Sequence, residues 1–278
     1  MLGRLVLPLL RRYPQLYYRW LYHQQLRRLR RMLESGENYF KVVDRSLRDY
    51  AAYDDREQRQ WETGGWECLI DGRIRWASAK EIRSRYVDAL CREIDDALAG
   101  GAEPSVLEVG CGNCINLVLL KERYGNRLSL AGMDISSNRL SVARKFFGTR
   151  LDGIRLEVVA VAELSAQGPQ QHGIVFSMHC LEQVPNHLPA AIRNMISAAS
   201  GRVIFIEPEW ELARPAQRVY LTIADHARTI LATLRDSGRK IRRAEALDVQ
   251  SSLKNQSSII VVDGTRSNVA SARRHLNS

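Results

Sequence analysis

The sequence predicts an α/β protein: a doubly wound, mostly parallel sheet with an antiparallel last strand, preceded by an N-terminal helical cap. Three observations predict it. From about residue 80 onward, short apolar strand patterns alternate with amphipathic helices, which requires crossover connections and hence parallel neighbours covered by helices on both faces. The last two strand patterns, about 241–249 and 258–262, have no helix between them, so that pair is expected to be antiparallel. Apolar residues make up 45% and charged residues 26% of 278. That composition supports a real core and excludes a disordered chain, a collagen-like fibre or a small disulfide scaffold. No run approaches the roughly 20 uncharged apolar residues that cross a bilayer.

Residues 1–34 read as helix, broken near Pro8 and Pro14, with Tyr22, Leu26, Leu29 and Leu33 on one apolar stripe. Eight arginines against the single acid Glu34 give this segment +7 of the chain's +10. Such a helix either packs on its own domain with a solvated arginine face, or makes peripheral contact with a membrane or lipid surface, or touches nucleic acid. Arg4, Arg11 and Arg12 interrupt the apolar start, so a secretory signal is not expected. Residues 35–79 interleave Tyr50, Tyr53, Trp61, Trp66 and Trp76 with polar residues, and are expected to form a cap over a pocket.

From Lys80 to Leu98 the residues Val87, Leu90, Ile94 and Leu98 share a helical face. Strands are then expected at Ser105–Val109, Leu128–Met133, Arg155–Val161, Gly173–Ser177 and Arg202–Ile206. Helices are expected at Ile115–Tyr124, Ser137–Phe147 and Leu188–Ala199, with one long helix over about 216–234. The expected organisation is a basic helix and aromatic-rich cap over 1–79, a ligand-binding domain over 80–265 and a polar tail over 266–278.

The chemistry concentrates in Val106-Leu107-Glu108-Val109-Gly110-Cys111-Gly112-Asn113-Cys114. A strand ends in an acid, and two glycines around Cys111 then make a tight turn into a helix. Glycine tolerates positive φ and lets a ligand approach the backbone. Asp134 ends the next strand, roughly 20 residues on, where a carboxylate can accept both hydroxyls of an adenosine ribose. Capping the following helix is the alternative role for Asp134. Glycine turn and second-strand acid in this order point to a nucleoside cofactor. A nicotinamide dinucleotide site would ordinarily show G-x-G-x-x-G, and Ile115 stands where its third glycine would be.

A glutamate before G-x-G resembles the class I S-adenosylmethionine-dependent methyltransferases, over about residues 80–265. His179-Cys180-Leu181-Glu182-Gln183 resembles the H-x-L-E-H segment of the ubiquinone-biosynthesis-type group within them. The resemblance implies a Rossmann-like fold with S-adenosyl-L-methionine as cofactor. Glu108 would orient the methionine amino end, Gly110, Cys111 and Gly112 would form the close-approach turn, and Asp134 would hold the ribose. Ile135, Ala162 and Glu163 would border the adenine, while Met178 and His179 would line the cleft near the sulfonium. Three positions depart from the pattern. Cys114 stands for a frequent third glycine, Val161 for an aspartate after the third strand, and Gln183 for the terminal histidine.

Candidate catalytic residues lie at the carboxyl ends of the fourth and fifth strands, where open α/β sheets bind ligands. His179 is the first candidate base. Glu207 and Glu209, two apart, would both face the cleft in an extended chain and could act as base or orient a polar substrate. Trp61, Trp66 and Trp210 would wall the pocket. Cys111-x-x-Cys114 lacks the further ligands a zinc site needs, so no metal is expected. Five sparse cysteines predict reduced thiols and a cytoplasmic location, with the peripheral-membrane alternative carried by residues 1–34. The expected activity is direct methyl transfer to a small organic molecule: a metabolite, lipid or natural product. Nucleic acid is not the expected partner, because the N-P-P-[YF] signature and a proline-cysteine pair are absent and segment 39–76 carries balanced charge. An RNA methyltransferase and a non-catalytic cofactor-binding scaffold are the alternatives.

Overall fold

The computed structural model describes residues 12–35, 54, 58–60, 63–167, 171–224 and 230–265, with the backbone alone at 165–167. Pro8, Tyr50, Tyr53, Trp61 and the 266–278 tail lie outside the described residues.

The elements are α1 (Pro14–Ser35), the hairpin β1 (Gly65–Ile70) and β2 (Arg73–Ser78), α2 (Ala79–Ala99), β3 (Ser105–Val109), α3 (Ile115–Tyr124), β4 (Ser129–Asp134), α4 (Ser137–Phe147) and β5 (Arg155–Val158). They continue with β6 (His172–Met178), α5 (Leu188–Ala198), β7 (Ala199–Glu207), α6 (Pro215–Ile223), α7 (Ile230–Asp236), β8 (Ile241–Ala246), β9 (Val249–Gln250) and β10 (Ser258–Asp263). Seven strands form the main sheet in the order β5-β4-β3-β6-β7-β10-β8. Neighbours run parallel from β5 through to β7, and β10 runs antiparallel to both β7 and β8.

Strand alternation builds the two covering layers. Val106, Leu130, Phe176 and Ile204 point into the layer of α2, while Leu107, Ala131, Val175 and Val203 point into that of α5 and α7. Both faces are therefore apolar, as a doubly covered parallel sheet requires. Strand order reverses beside β3, between β4 and β6, which opens a crevice at their carboxyl ends.

The hairpin of residues 65–78, expected as part of a cap, turns at Asp71 and Gly72, both at positive φ (51° and 74°). That geometry suits a two-residue hairpin loop. Val249 and Gln250 add a third strand to it, antiparallel to β1. The strand expected over 241–249 therefore divides: 241–246 stays in the main sheet and 249–250 joins the small one. The helix expected over 216–234 is seen as α6 and α7, with 225–229 outside the described residues. The third strand stops at Val158, and residues 161–167 form a 3-10 turn.

Helix α1 corrects the expected stripe. It buries Tyr17, Tyr18, Leu21 and Gln25 against α6, while Leu26 is 36% and Leu33 75% exposed. The Arg214 guanidinium sits 4.5 Å over the Tyr18 ring, and Tyr18 donates to Gln250. The aromatic side chains bring the larger apolar area and a polar tip, so they set the buried face rather than the leucines. Among the described residues no helix is long and apolar enough to cross a membrane.

Candidate active site

A cavity of about 930 Å³ opens where the order of the sheet reverses, between the carboxyl ends of β3, β4 and β6 and the inner face of α2. That volume lies at the upper end of small-molecule sites. It is lined on one side by the glycine turn after β3 and on the other by the segment after β6.

Glu108 ends in this cavity with 1% of its surface exposed. Its Oε1 accepts from Asn116 Nδ2 at 2.5 Å, and Oε2 finds no partner among the described residues. Burial pushes its carboxyl up to about 8, against the smaller opposing pulls of Asn116 and Arg83. Arg83 also faces the cavity, donating to Asn116 Oδ1 at 3.3 Å and resting against Met178 Sδ at 3.4 Å. An ammonium placed beside Glu108 would meet an acceptor, and a carboxylate beside Arg83 would meet a donor.

The turn is built for close approach. Gly110 has φ +70°, and a Cβ there would fall 2.1 Å from Cys180 Sγ. Gly112 has φ +48°, with the Arg139 guanidinium packed against it. Cys114 takes the left-handed conformation, φ 59°, at the start of α3. That explains why glycine suits this position, and a side chain there costs roughly 1 kcal/mol. Cys111 and Cys114 are buried free thiols, and the hydrogen bond that Cys111 gives to Cys114, with burial, holds Cys111 protonated.

Asp134 points into the crevice. Its Oδ2 accepts from Gly112 N–H at 2.8 Å and Oδ1 from Ser136 N–H at 2.8 Å, with Arg139 Nη1 3.8 Å away. Helix capping falls instead to Ser136, whose Oγ accepts from Arg139 N–H. Two of roughly four acceptor positions on the carboxylate are used, which leaves capacity for ribose hydroxyls. Ile135 is 56% exposed at the rim, and Val159, Val161, Ala162 and Glu163 continue the wall.

On the far side, His179 follows β6 at φ 52°, a conformation that costs a non-glycine residue about 1 kcal/mol or more. Its ring packs edge-on to Tyr86, with centroids 5.8 Å apart. Its Nε2 lies 2.8 Å from Ser257 Oγ, and Nδ1 lies 3.6 Å from Glu182 Oε1. Burial lowers the imidazole pKa, but the charges of Glu182 and Glu207 outweigh it and the net direction is upward. Trp66 lines the cavity and donates to Ser251 O.

Glu207 and Glu209 are placed differently from the expectation that both face the cleft. Glu207 is fully buried, and its Oε1 accepts from Cys180 N–H at 3.0 Å and Leu181 N–H at 3.2 Å. It thereby ties down the loop that carries His179. Glu209 accepts from Glu211 N–H and from Leu231 N–H in the first turn of α7. Neither lines the cavity. The reason is that β7 ends at Glu207, so the two-residue alternation does not continue. Trp210 likewise stays outside, stacked under Arg218 at 4.8 Å. Arg83, Tyr86, Asn116, Arg139, Asn255 and Ser257 complete the site without any motif announcing them.

Residues 106–200 match the family described as Methyltransferase domain. Ubiquinone biosynthesis O-methyltransferase of Nitrosomonas europaea is 29% identical over 99 residues, 36% of this chain and 40% of that protein. The protein of the same name from Thiobacillus denitrificans is 32% identical over 111 residues, 40% of this chain and 42% of its own length. The similarity thus spans about two fifths of those curated relatives. The fold is shared with a putative sarcosine dimethylglycine methyltransferase from Galdieria sulphuraria (TM-score 0.55, 10% identity, 76% of this chain and 98% of that one). It is shared also with the N-methyltransferase NodS from Bradyrhizobium japonicum WM9 (TM-score 0.51, 16% identity, 66% and 97%). Residues 106–200, which carry the two-glycine turn and most of the crevice beside β3, are thus similar to a methyltransferase domain, and the sheet around them has the fold of these two solved structures.

Proposed function

We propose that this chain binds S-adenosyl-L-methionine and transfers its methyl group to a small organic molecule, in the range of metabolites, lipids and natural products. The observation that carries the reading is the pairing, in one cavity, of Glu108 Oε2, without a partner among the described residues, with the Asp134 carboxylate across a glycine turn. Those two acids match the ammonium and the ribose diol at the two ends of the cofactor. Glu108, Arg83 and Asn116 would hold the amino-acid end. Gly110, Cys111 and Gly112 would let the chain pass close to the backbone. Asp134 would take the ribose, with Ile135, Ala162 and Glu163 around the adenine and Met178 and His179 toward the sulfonium. When bound, the cofactor supplies a methyl group already activated as an electrophile by the sulfonium.

The protein's share is alignment and exclusion of water, and alignment alone can lower such a barrier by several kcal/mol. Trp66, Ile82, Tyr86 and Val184 give the acceptor side an apolar wall. Incubation of the full chain with methyl-labelled S-adenosylmethionine and a fractionated cell extract tests this. Label is expected in the small-molecule fraction. Label in RNA alone, or cofactor binding with no transfer to any fraction, would overturn it.

The reading extends to the arginine helix. Opposite its buried face, α1 presents Arg19, Arg27 and Arg30 beside exposed Leu16, Leu26 and Leu33. Mixed cationic and apolar side chains on one face suit an anionic lipid surface. Co-sedimentation is expected with phosphatidylglycerol vesicles but not with phosphatidylcholine, and to be lost when Arg19, Arg27 and Arg30 are all changed to Glu. Equal retention by both vesicles, or none by either, counts against lipid contact.

A further inference from the structure

The methyl-transfer reading leaves open which group takes the substrate's proton, and the hydrogen bonds behind His179 have a direction that bears on it. Ser251 N–H donates to Tyr86 Oη at 2.7 Å, which leaves the phenol's own proton for Ser257 Oγ, also at 2.7 Å. Ser257 then directs its hydroxyl proton at His179 Nε2, 2.8 Å away. A neutral imidazole has one donor and one acceptor nitrogen. With Nε2 accepting, the ring proton sits on Nδ1, the nitrogen that faces Glu182 Oε1 at 3.6 Å. In that tautomer His179 offers the cavity a donor and has no lone pair there to receive a proton.

Glu182, which faces that nitrogen, is a carboxylate and accepts on both oxygens. It lines the cavity, and its Oε2 is fixed by Asn255 Nδ2 at 2.8 Å while Oε1 receives Gln183 Nε2 at 3.4 Å. Asn255 is itself only 9% exposed and lines the same space, and its Oδ1 has no partner among the described residues. We infer that Glu182 is the catalytic residue that receives the proton of the methyl-accepting group, with His179, Ser257 and Tyr86 as positioning residues. The substrate's O–H or N–H bond breaks, its electron pair stays on that oxygen or nitrogen as the nucleophile, and the proton forms an O–H bond on Glu182. A second donor on the substrate would be met by Asn255 Oδ1. The substrate class is therefore a small molecule with an ionisable O–H or N–H and a neighbouring hydrogen-bond donor. Among the described residues, the charged and titratable groups that act on Glu182 include His179, Glu207 and Tyr220, with Arg83 acting on His179.

The inference rests on the proposed methyl transfer, and its test separates the two. Ring-nitrogen NMR of the full chain carrying ¹⁵N-histidine reads the tautomer without any turnover. Neutral His179 is expected to hold its proton on Nδ1. Glu182→Gln is expected to lower its titration midpoint by about one pH unit or more, and Ser257→Ala to populate the Nε2–H form. S-adenosylhomocysteine binding by calorimetry should stay at the wild-type level in each variant, which checks folding. In the label-transfer assay with small-molecule extract, Glu182→Gln is expected to lose about 100-fold or more in product formation. His179→Asn, which keeps a donor toward Glu182, should lose distinctly less. An Nε2–H tautomer in the wild type, or Glu182→Gln within about threefold of wild-type transfer, would overturn the inference. A wild type that binds S-adenosylhomocysteine and labels nothing would instead overturn the methyl-transfer reading.

Discussion

Asp134→Ala is expected to weaken S-adenosylhomocysteine binding by about 100-fold or more, since charge-assisted hydrogen bonds are each worth roughly 1.5–3 kcal/mol and the ribose offers two. The same change strands the Gly112 and Ser136 amides that the carboxylate now satisfies at 2.8 Å each. A buried amide left without a partner costs about 1–3 kcal/mol, so the thermal midpoint should fall too. Asp134→Asn separates the two effects. It keeps the shape and one oxygen acceptor, which satisfies one of the two amides while its NH2 group faces the other, so it should recover only part of the stability while keeping a binding deficit of about tenfold. Calorimetry on both variants, with thermal unfolding alongside, reads each effect on its own axis. Wild-type affinity in a folded Asp134→Ala would remove the ribose assignment.

Glu108→Gln is expected to act in opposite directions on stability and on binding. The folded carboxyl is raised by burial to about 8 from 4.5, while in the unfolded chain it ionises normally. The protonated group thus favours the folded state fully below about pH 4.5. That advantage is lost as pH rises toward 8, over which range the unfolded chain gives up its proton and the folded one keeps it. Glu207 and Glu209, both raised to about 7 by burial, add in the same sense over the lower part of that window. Ligand-free protein should therefore melt at lower temperature at pH 8 than at pH 5. Glu108→Gln removes its own share of that loss, on the order of 3 kcal/mol. Binding goes the other way. An ammonium beside Oε2 favours the ionised acid, so affinity should rise with pH up to about 8, and Glu108→Gln should bind about 10- to 100-fold more weakly with a flattened pH profile. Unchanged affinity in Glu108→Gln would place the amino end of the cofactor elsewhere.

Much of the fold and the placement of the glycine turn and Asp134 in one crevice are legible in the sequence because both rest on local patterns. Ser105–Val109, Ile115–Tyr124 and Ser137–Phe147 occur as the periodicity places them. Gly110, Gly112 and Asp134 are recognisable because strand, turn and helix follow one another within 30 residues. The acceptor half is assembled from distant segments. Tyr86 and Ser257 meet across 171 residues, and Arg83 reaches Met178 across 95. Arg83 sits between Ile82 and Tyr86 on a helix whose pattern signals only a core face. Glu207 and Glu209 mislead for a related reason: alternation holds only within a strand, and β7 ends between them. In α1 the leucine stripe has the right period and the wrong face, since Tyr17, Tyr18 and Leu21 meet α6. Glu182 stands in a recognisable segment, but its function depends on the direction of the hydrogen bonds behind His179, which no spacing encodes.

The proposed site depends on two acids that would hold the ammonium and the ribose of one adenosyl amino acid around the bend at Gly110. Titrating the folded chain with S-adenosylhomocysteine at pH 7, in two buffers of different ionisation enthalpy, measures that most directly. One saturable site in the micromolar range is expected, with close to one proton released per ligand as Glu108 ionises. No binding heat in either buffer, or binding with no buffer dependence, would contradict it.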